Sequence, residues 1–565
     1  MNKPLRKRAR SVSLIGVLTL LLSACASAPP VAPAGAGGTA KSTVATQPAT
    51  APQSAPAKSG AGGGGSLVYG INTKFDTLDP NVTTFSAVGI IAYHLCDPLV
   101  WQTAPGQFAP GLAESWTISP DGKEYTLKLR QDVTFHDGTP FNADAVKFTL
   151  DRIINPDTKS QTAFSLIGPY AGSEVVDPYT IKIKFKQAYA PFMDSLSSPY
   201  LVPQSPKAVA AAGKDYGVKT VVCTGPFKWG DYKVDSELTL VKNPDYKWGP
   251  KHLTKDGTVA LDGITFRVIP EDATRVAALQ SGELQFADSL PADQYKQLQT
   301  SQDIHLLTAV QAGSGWSVMM NVQKEPTSDP KVRQALEWGT DKQGLIDTVF
   351  GGAYQPSCSP LTPNLLGFDK STCGKYTYDL TKAGALLDDA GWKLNASTGM
   401  REKDGKPLKI DHHFRSDSGL AKAMSTFLQA NWKKLGIDVN LVGAERAGYF
   451  DAVRAGKHNT QFWWETSTDP DVMRILFHSQ NADGGTNRNR YKNADTDKLI
   501  DSAAAESDPA KRAALYAQLQ NKVLDEAIMV FMADPITIVG ASTALKGVVL
   551  DWGGNYPLFH GASMN

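Results

Sequence analysis

The stretch "QFWWETSTDPDVMRILFHS" (461–479) brings Trp463, Trp464, Glu465, Asp469 and Asp471 within a few residues of one another. Two chemistries suit such a set. Carboxylates facing each other across a reacting bond, one with a raised pKa, are the acid and base of a hydrolase. A carboxylate beside an indole face is instead a wall that grips a cationic or flat apolar group. Glu465 and Asp469 follow Trp464 closely on one strand-end loop, so they share one side of any cleft. That spacing favours the wall, with Trp464, Glu465 and Asp469 as ligand contacts. Trp463 alternates to the other face and belongs to the core. Asp471 is either the cap of the helix opening at Val472 or a further contact.

Elements on either side must position this loop. Leu420, Met424, Phe427, Leu428 and Leu435 recur at helical spacing, with Gly436 as the stop. Val439 and Leu441 then alternate as a strand. A helix around Tyr449, Phe450 and Val453 ends near Gly456, and Phe462 begins the next strand. Helix–strand–helix–strand is an α/β lobe with a crossover. Its ligands belong beyond the strand ends, where Glu465 and Asp469 fall. Upstream, Tyr125-Leu127-Leu129 and Ile181-Ile183-Phe185 alternate with polar residues as half-buried strands. Ile264-Phe266-Val268 is another. Asp329-Pro330 reads as N-cap and first turn of a helix carrying Val332, Ala335 and Leu336.

Other chemistry finds little support. His412-His413 are adjacent on a strand and point to opposite faces, so they do not readily share a metal. There is no GxSxG, no HExxH and no phosphate-binding Gly-rich loop. The expectation is no cofactor and no metal. Lysine plus arginine total 57 against 56 aspartate plus glutamate, a balance unsuited to nucleic acid.

The N-terminus has a basic region from Lys3 to Arg10, an apolar Val12–Leu22 and then Ser23-Ala24-Cys25. This is a signal peptide, too short to span a bilayer, and no later run is long enough to do so. Cys25 resembles the lipidated cysteine of bacterial lipoproteins. From Ala26 to Ser66 the chain is Ala, Pro, Gly, Ser and Thr, with too little apolar surface to offset its ordering entropy, hence a tether. Four further cysteines, Cys96, Cys223, Cys358 and Cys373, are an even number in an exported chain and allow three connectivities. The short Pro- and Gly-containing loop favours Cys358–Cys373, and free buried thiols are the alternative to any bridge.

"LAESWTISPDGKEYTLKLRQDVTFHDGTPFNADAVKFTLDRI" (112–154) resembles the signature region of the family 5 extracellular solute-binding proteins, components of ABC importers. The likeness continues in order through "DTLDPN" (76–81), "CTGPFKW" (223–229), "IPEDATRVAALQSGELQFAD" (269–288), "MNVQKEPTSDPKVRQAL" (320–336) and "RYKNADTDKLIDSA" (490–503).

The resemblance implies an α/β, two-lobed, hinged fold of the periplasmic-binding-protein type II, with an extra domain inserted in the first lobe. The expected parts are a signal peptide (1–24), lipidated Cys25 with its tether (25–66), a first lobe (67–96, 223–312 and 529–565), the insert (97–222) and a second lobe (313–528). Cys96 and Cys223 then stand at the two ends of the insert. Dipeptide-binding relatives meet the ligand carboxylate with an arginine whose position matches Arg415. They hold its ammonium with an aspartate in a loop ending "DPD". Here "ETST" is shorter and lacks that aspartate, so Glu465 or Asp469 substitutes, or the ligand has no free amine. Thr83, Thr84 and Phe85 approach the cleft from the other lobe, with Trp316, Asn321 and Tyr449 as further contacts.

The function implied is a monomeric, non-enzymatic solute-binding lipoprotein on the outer face of the cytoplasmic membrane. It captures a peptide-like solute and serves an ABC permease and ATPase. The competing classes are a ligand sensor or adhesin on the same fold, and a secreted hydrolase using Glu465 and Asp469. Glutathione-like tripeptides, opines, oligosaccharides and a metal complex remain open as solutes.

Overall fold

The computed structural model describes residues 64–565. The signal peptide, Cys25 and nearly all of the expected tether lie outside the described residues. The tether does not reach 66, because Ser66 already opens the first strand, Ser66–Ile71.

That strand is the centre of a seven-stranded sheet. It runs parallel to Gly263–Val268 on one side and to Phe286–Ala287 on the other. Tyr69 packs against Phe266 and Phe286 at ring distances of 5.2 and 4.9 Å. Both neighbours are fully buried, so the sheet's inner face is an aromatic core.

A four-stranded antiparallel sheet follows between Ala113 and Phe185. Leu127 faces Ile181 and Tyr125 faces Ile183, all buried, while Lys182 and Lys184 on the wet face pair with Glu124 and Glu174. This segment has no core of its own. Leu127, Ile181 and Phe192 belong to the same buried cluster as Tyr69 and Phe266. Cys96 is bonded to Cys223 where the segment leaves and rejoins the sheet. Beside that bond, the buried Asp97 carboxylate accepts from Thr224, Tyr246 and Trp248 at 2.9, 2.8 and 3.1 Å.

The second lobe is a six-stranded sheet in the order Gln355–Pro356, Met529–Asp534, Gly313–Met320, Thr460–Thr466, Lys409–Arg415, Asp438–Ala444. Several of its helices open on side-chain caps. Asp329 accepts from Lys331 N–H at 2.8 Å ahead of Pro330–Trp338, and Ser418 from Ala421 N–H at 3.2 Å ahead of Gly419–Lys433. Leu420 is exposed rather than core, because it sits in the first turn before the helix meets the sheet. Cys358 is bonded to Cys373.

The expected boundary at 528 is corrected. Met529–Asp534 pairs with Gly313–Met320 inside the second lobe, and the chain returns only at Pro535 to form Ile536–Ser542. The chain thus crosses between the sheets twice in adjacent antiparallel positions, at Gln311-Ala312 and at Pro535. Gln311 N–H donates to the Pro535 carbonyl at 2.9 Å. Two single-layer connections side by side make a hinge, since few contacts resist rotation about them. Among the described residues no helix is long and apolar enough to cross a membrane.

Candidate functional site

Strands Lys409–Arg415, Asp438–Ala444 and Thr460–Thr466 run parallel and end on one edge of their sheet. Glu465 and Thr466 are the last two residues of their strand and Thr466 pairs with Gly313, the first residue after the crossover, so the loop from Ser467 onward opens at the hinge. Ser467 N–H donates to the Ala312 carbonyl at 2.9 Å. Gly313 has φ +144°, and a Cβ there would meet the Glu465 carbonyl oxygen at 2.0 Å. Only glycine lets the two strands approach so closely.

A cavity of about 670 Å³ lies between the sheets. From the second lobe it is lined by Glu465, Thr466, Ser467 and Thr468. The opposite wall is aromatic, formed by Tyr93, Trp101, Tyr200 and Tyr556. Tyr93 stacks on Trp101 at 5.5 Å and meets Tyr556 edge-on at 5.3 Å. The Tyr200 and Tyr556 hydroxyls are 3.2 Å apart. Asp194, from the short helix Phe192–Ser195, reaches the second lobe, where its Oδ2 accepts from the Thr468 hydroxyl at 2.7 Å. Its Oδ1 and the indole Nε1 of Trp552, another lining residue, are buried with no hydrogen-bond partner. Burial, reinforced by nearby Asp469, pushes the Asp194 carboxyl up to about 8. Burial also raises Glu465 to about 7, against the pull of Arg488.

The residues singled out from sequence divide sharply. Glu465 and Thr84 line the cavity. Thr84 is tied down, its N–H and hydroxyl both donating to Asp76 at 3.0 and 3.2 Å. Phe85 is 41% exposed and lies beside the cavity rather than in its lining, its carbonyl accepting from Tyr200 at 3.4 Å.

Asp469 does not stand free to hold an ammonium. Arg512 grips it bidentately, both contacts at 2.7 Å, in a buried pair. Asp471 accepts from Arg474 and Tyr516, both at 3.1 Å, and makes no side-chain cap bond.

Arg415 lies outside the cavity lining, and its guanidinium is bidentate to Asp417 at 3.0 Å. Trp464 stacks on Trp316 at 3.9 Å instead of on the cavity wall. Asn321 is buried and donates to the Gly456 and His458 carbonyls at 3.2 Å, a strand-end brace. Tyr449 is buried, donating to Gln461 and to the Phe462 carbonyl. Asn321 and Tyr449 spend their polar groups on their own sheet, so little of them remains for a ligand, whereas Trp464 stays 39% exposed beside Trp316 and outside the cavity lining.

Sequence reasoning missed Asp194, Tyr93, Trp101, Tyr200, Trp552 and Tyr556. Asp194 carried one signal, as the lone charge in the apolar "APFMDSLSSPYLV" (190–202). His412 is fully buried against Thr460 at 2.9 Å. Among the described residues no three His, Cys, Asp or Glu side chains are grouped to hold a metal.

This architecture has known counterparts. The family model described as bacterial extracellular solute-binding proteins, family 5 middle, matches residues 107–487. The nickel-binding periplasmic protein of Escherichia coli (strain K12) is 31% identical over 451 residues, 76% of this chain and 82% of its own. The glutathione-binding protein GsiB of Salmonella typhi is 31% identical over 470 residues, 81% and 87% of the two chains. The structure of NikA from Brucella suis in complex with Fe(III)-EDTA matches with a TM-score of 0.78 at 26% identity, covering 88% of this chain and 100% of that one. The two hinged α/β lobes, the cavity between them and the span of these matches together place the chain among the family 5 bacterial extracellular solute-binding proteins.

Proposed function

We propose that this chain captures a small solute outside the cytoplasmic membrane and hands it to an ABC permease and ATPase, held near them by a lipid on Cys25. One observation carries the reading. A cavity lies at a two-strand hinge, and two residues of its lining, Asp194 and Trp552, carry buried polar atoms that lack partners. A solute that satisfies those atoms favours the closed arrangement over an open one by its differential contacts. No bond need break. The pairing of Asp469 with Arg512 removes the second carboxylate of the Glu465–Asp469 hydrolase reading, which argues against that pair as acid and base.

The test is a thermal-shift screen of a solute library against the purified mature protein. A bound solute at a hundred times its Kd stabilises by about 2.7 kcal/mol. The expected result is one solute class that raises Tm and is recovered unchanged by mass analysis after long incubation. A flat response across the library, or a chemically altered solute, would overturn the reading. For the anchor, Cys25→Ser is expected to free the protein from the membrane fraction or leave it unprocessed. Membrane retention with residue 25 unlipidated would remove the lipoprotein assignment.

A further inference from the structure

The cavity is lined by three carboxylates, Asp194, Glu465 and Asp551, and by no lysine or arginine. Asp551 is occupied, since its Oδ1 accepts from the Asn555 and Tyr556 amides at 2.7 and 2.6 Å and shapes that turn. Asp194 is not. The residue is 7% exposed, one oxygen holds Thr468, and the other has no partner.

Charges around these acids leave them largely uncompensated. Arg488 pulls on Glu465 without lining the cavity; its guanidinium lies on the Trp463 ring at 3.8 Å, its Nε and Nη1 are buried without a hydrogen-bond partner, and it forms no ion pair within 4.0 Å among the described residues. Arg512, the cation nearest Asp194, is spent on Asp469. Arg415 is paired with Asp417 and does not line the cavity.

We propose that the solute is a small organic cation without a free carboxylate, an amine or guanidine, whose charged group is received by Asp194 while its apolar part lies along Tyr93, Trp101 and Tyr556. The proposal rests on the solute-capture reading above and narrows its ligand class. A zwitterionic peptide would bring a carboxylate to a lining with no lysine or arginine to pair with it, and with acids that repel it once they ionise. A cation there gains both a desolvated counter-charge and aromatic faces.

The proposal has a pH signature. The groups facing Asp194 are Thr468, Asp469, Arg512, Asp551 and Tyr93. In the empty cavity the Asp194 carboxyl keeps its proton up to about pH 8, and a bound cation expels it. Affinity for a cation therefore climbs as pH rises toward 8 and levels off above it. Glu465, raised to about 7, works in the same direction.

The experiment is calorimetry and thermal shift on the mature protein with agmatine, spermidine and choline, set beside Gly-Leu, glutathione and maltotriose. At least one cation is expected to bind more tightly than all three comparison solutes. Its affinity should rise by about tenfold or more from pH 6 to 8. Asp194→Asn, which keeps the shape and the Thr468 contact, should weaken that binding by about tenfold or more and flatten the pH slope. The wild-type pH slope stands as a readout even if the variant folds poorly. Tighter binding of Gly-Leu, glutathione or maltotriose would overturn the cation while leaving solute capture intact. So would cation binding indifferent to Asp194→Asn or to pH, or no response to any of the three cations. Silence across the whole library instead defeats the solute-capture reading itself.

Discussion

Arg512→Met is expected to destabilise the protein by about 3–5 kcal/mol. Both Asp469 oxygens rest on this guanidinium at 2.7 Å, and its Nε donates to the Ala503 carbonyl at 3.0 Å. Both side chains are nearly closed off from water, at 7% and 11% exposure. Met keeps much of the volume but leaves the buried Asp469 carboxylate with the Asp471 N–H at 2.7 Å and no counter-charge, and takes the Nε donor from the Ala503 carbonyl; a lone buried charge costs more than its ion pair ever contributed. Asp469→Asn in the Arg512→Met background should recover part of the loss, because an amide is less costly to bury than a carboxylate. Guanidinium chloride unfolding reads the difference. A loss under about 1 kcal/mol would mean that Asp469 does not depend on Arg512 and is available to a ligand after all.

Removing the Cys96–Cys223 bridge should cost more than removing Cys358–Cys373. The first closes a sequence separation of 127, the second one of 15. By the loop-entropy relation these correspond to about 4–5 and about 3 kcal/mol. The larger loop carries the whole segment whose Asp194 and Trp101 line the cavity, so its loosening should reach the binding site too. Cys96→Ala with Cys223→Ala is expected to lower the unfolding midpoint further than Cys358→Ala with Cys373→Ala, and only the former should weaken solute binding. The reverse order of midpoints would sink the argument, and so would alkylation of all four cysteines in the unreduced, denatured protein.

Much of the scaffold was legible from local pattern. The alternation at Tyr125-Leu127-Leu129 and Ile181-Ile183-Phe185 reports a sheet with one dry face, and both triplets are buried on facing strands. Asp329-Pro330 announces a capped helix because the cap is made by neighbours in sequence. The order of motifs pointed to the two-lobed family fold. That Glu465 falls near the end of its strand was legible, since strand direction and length follow from the run that begins at Phe462.

The contents of the cavity were a different matter. Whether Asp469 is a ligand contact or half of an ion pair depends on Arg512, which lies 43 residues further on. Asp194 becomes a buried acceptor only because Thr468, 274 residues away, closes over it. Trp464 and Trp316 each look like a binding face in isolation, yet they stack on each other. Periodicity and capping act over a few residues, so the sequence by itself determined the strands, the helices and the family. Burial, and the pairing or orphaning of a charge, are set by whichever distant surface packs against it. For that reason only the tertiary structure decided that Asp194 is left with a free oxygen at the hinge and that Arg415 and Asp469 already have partners.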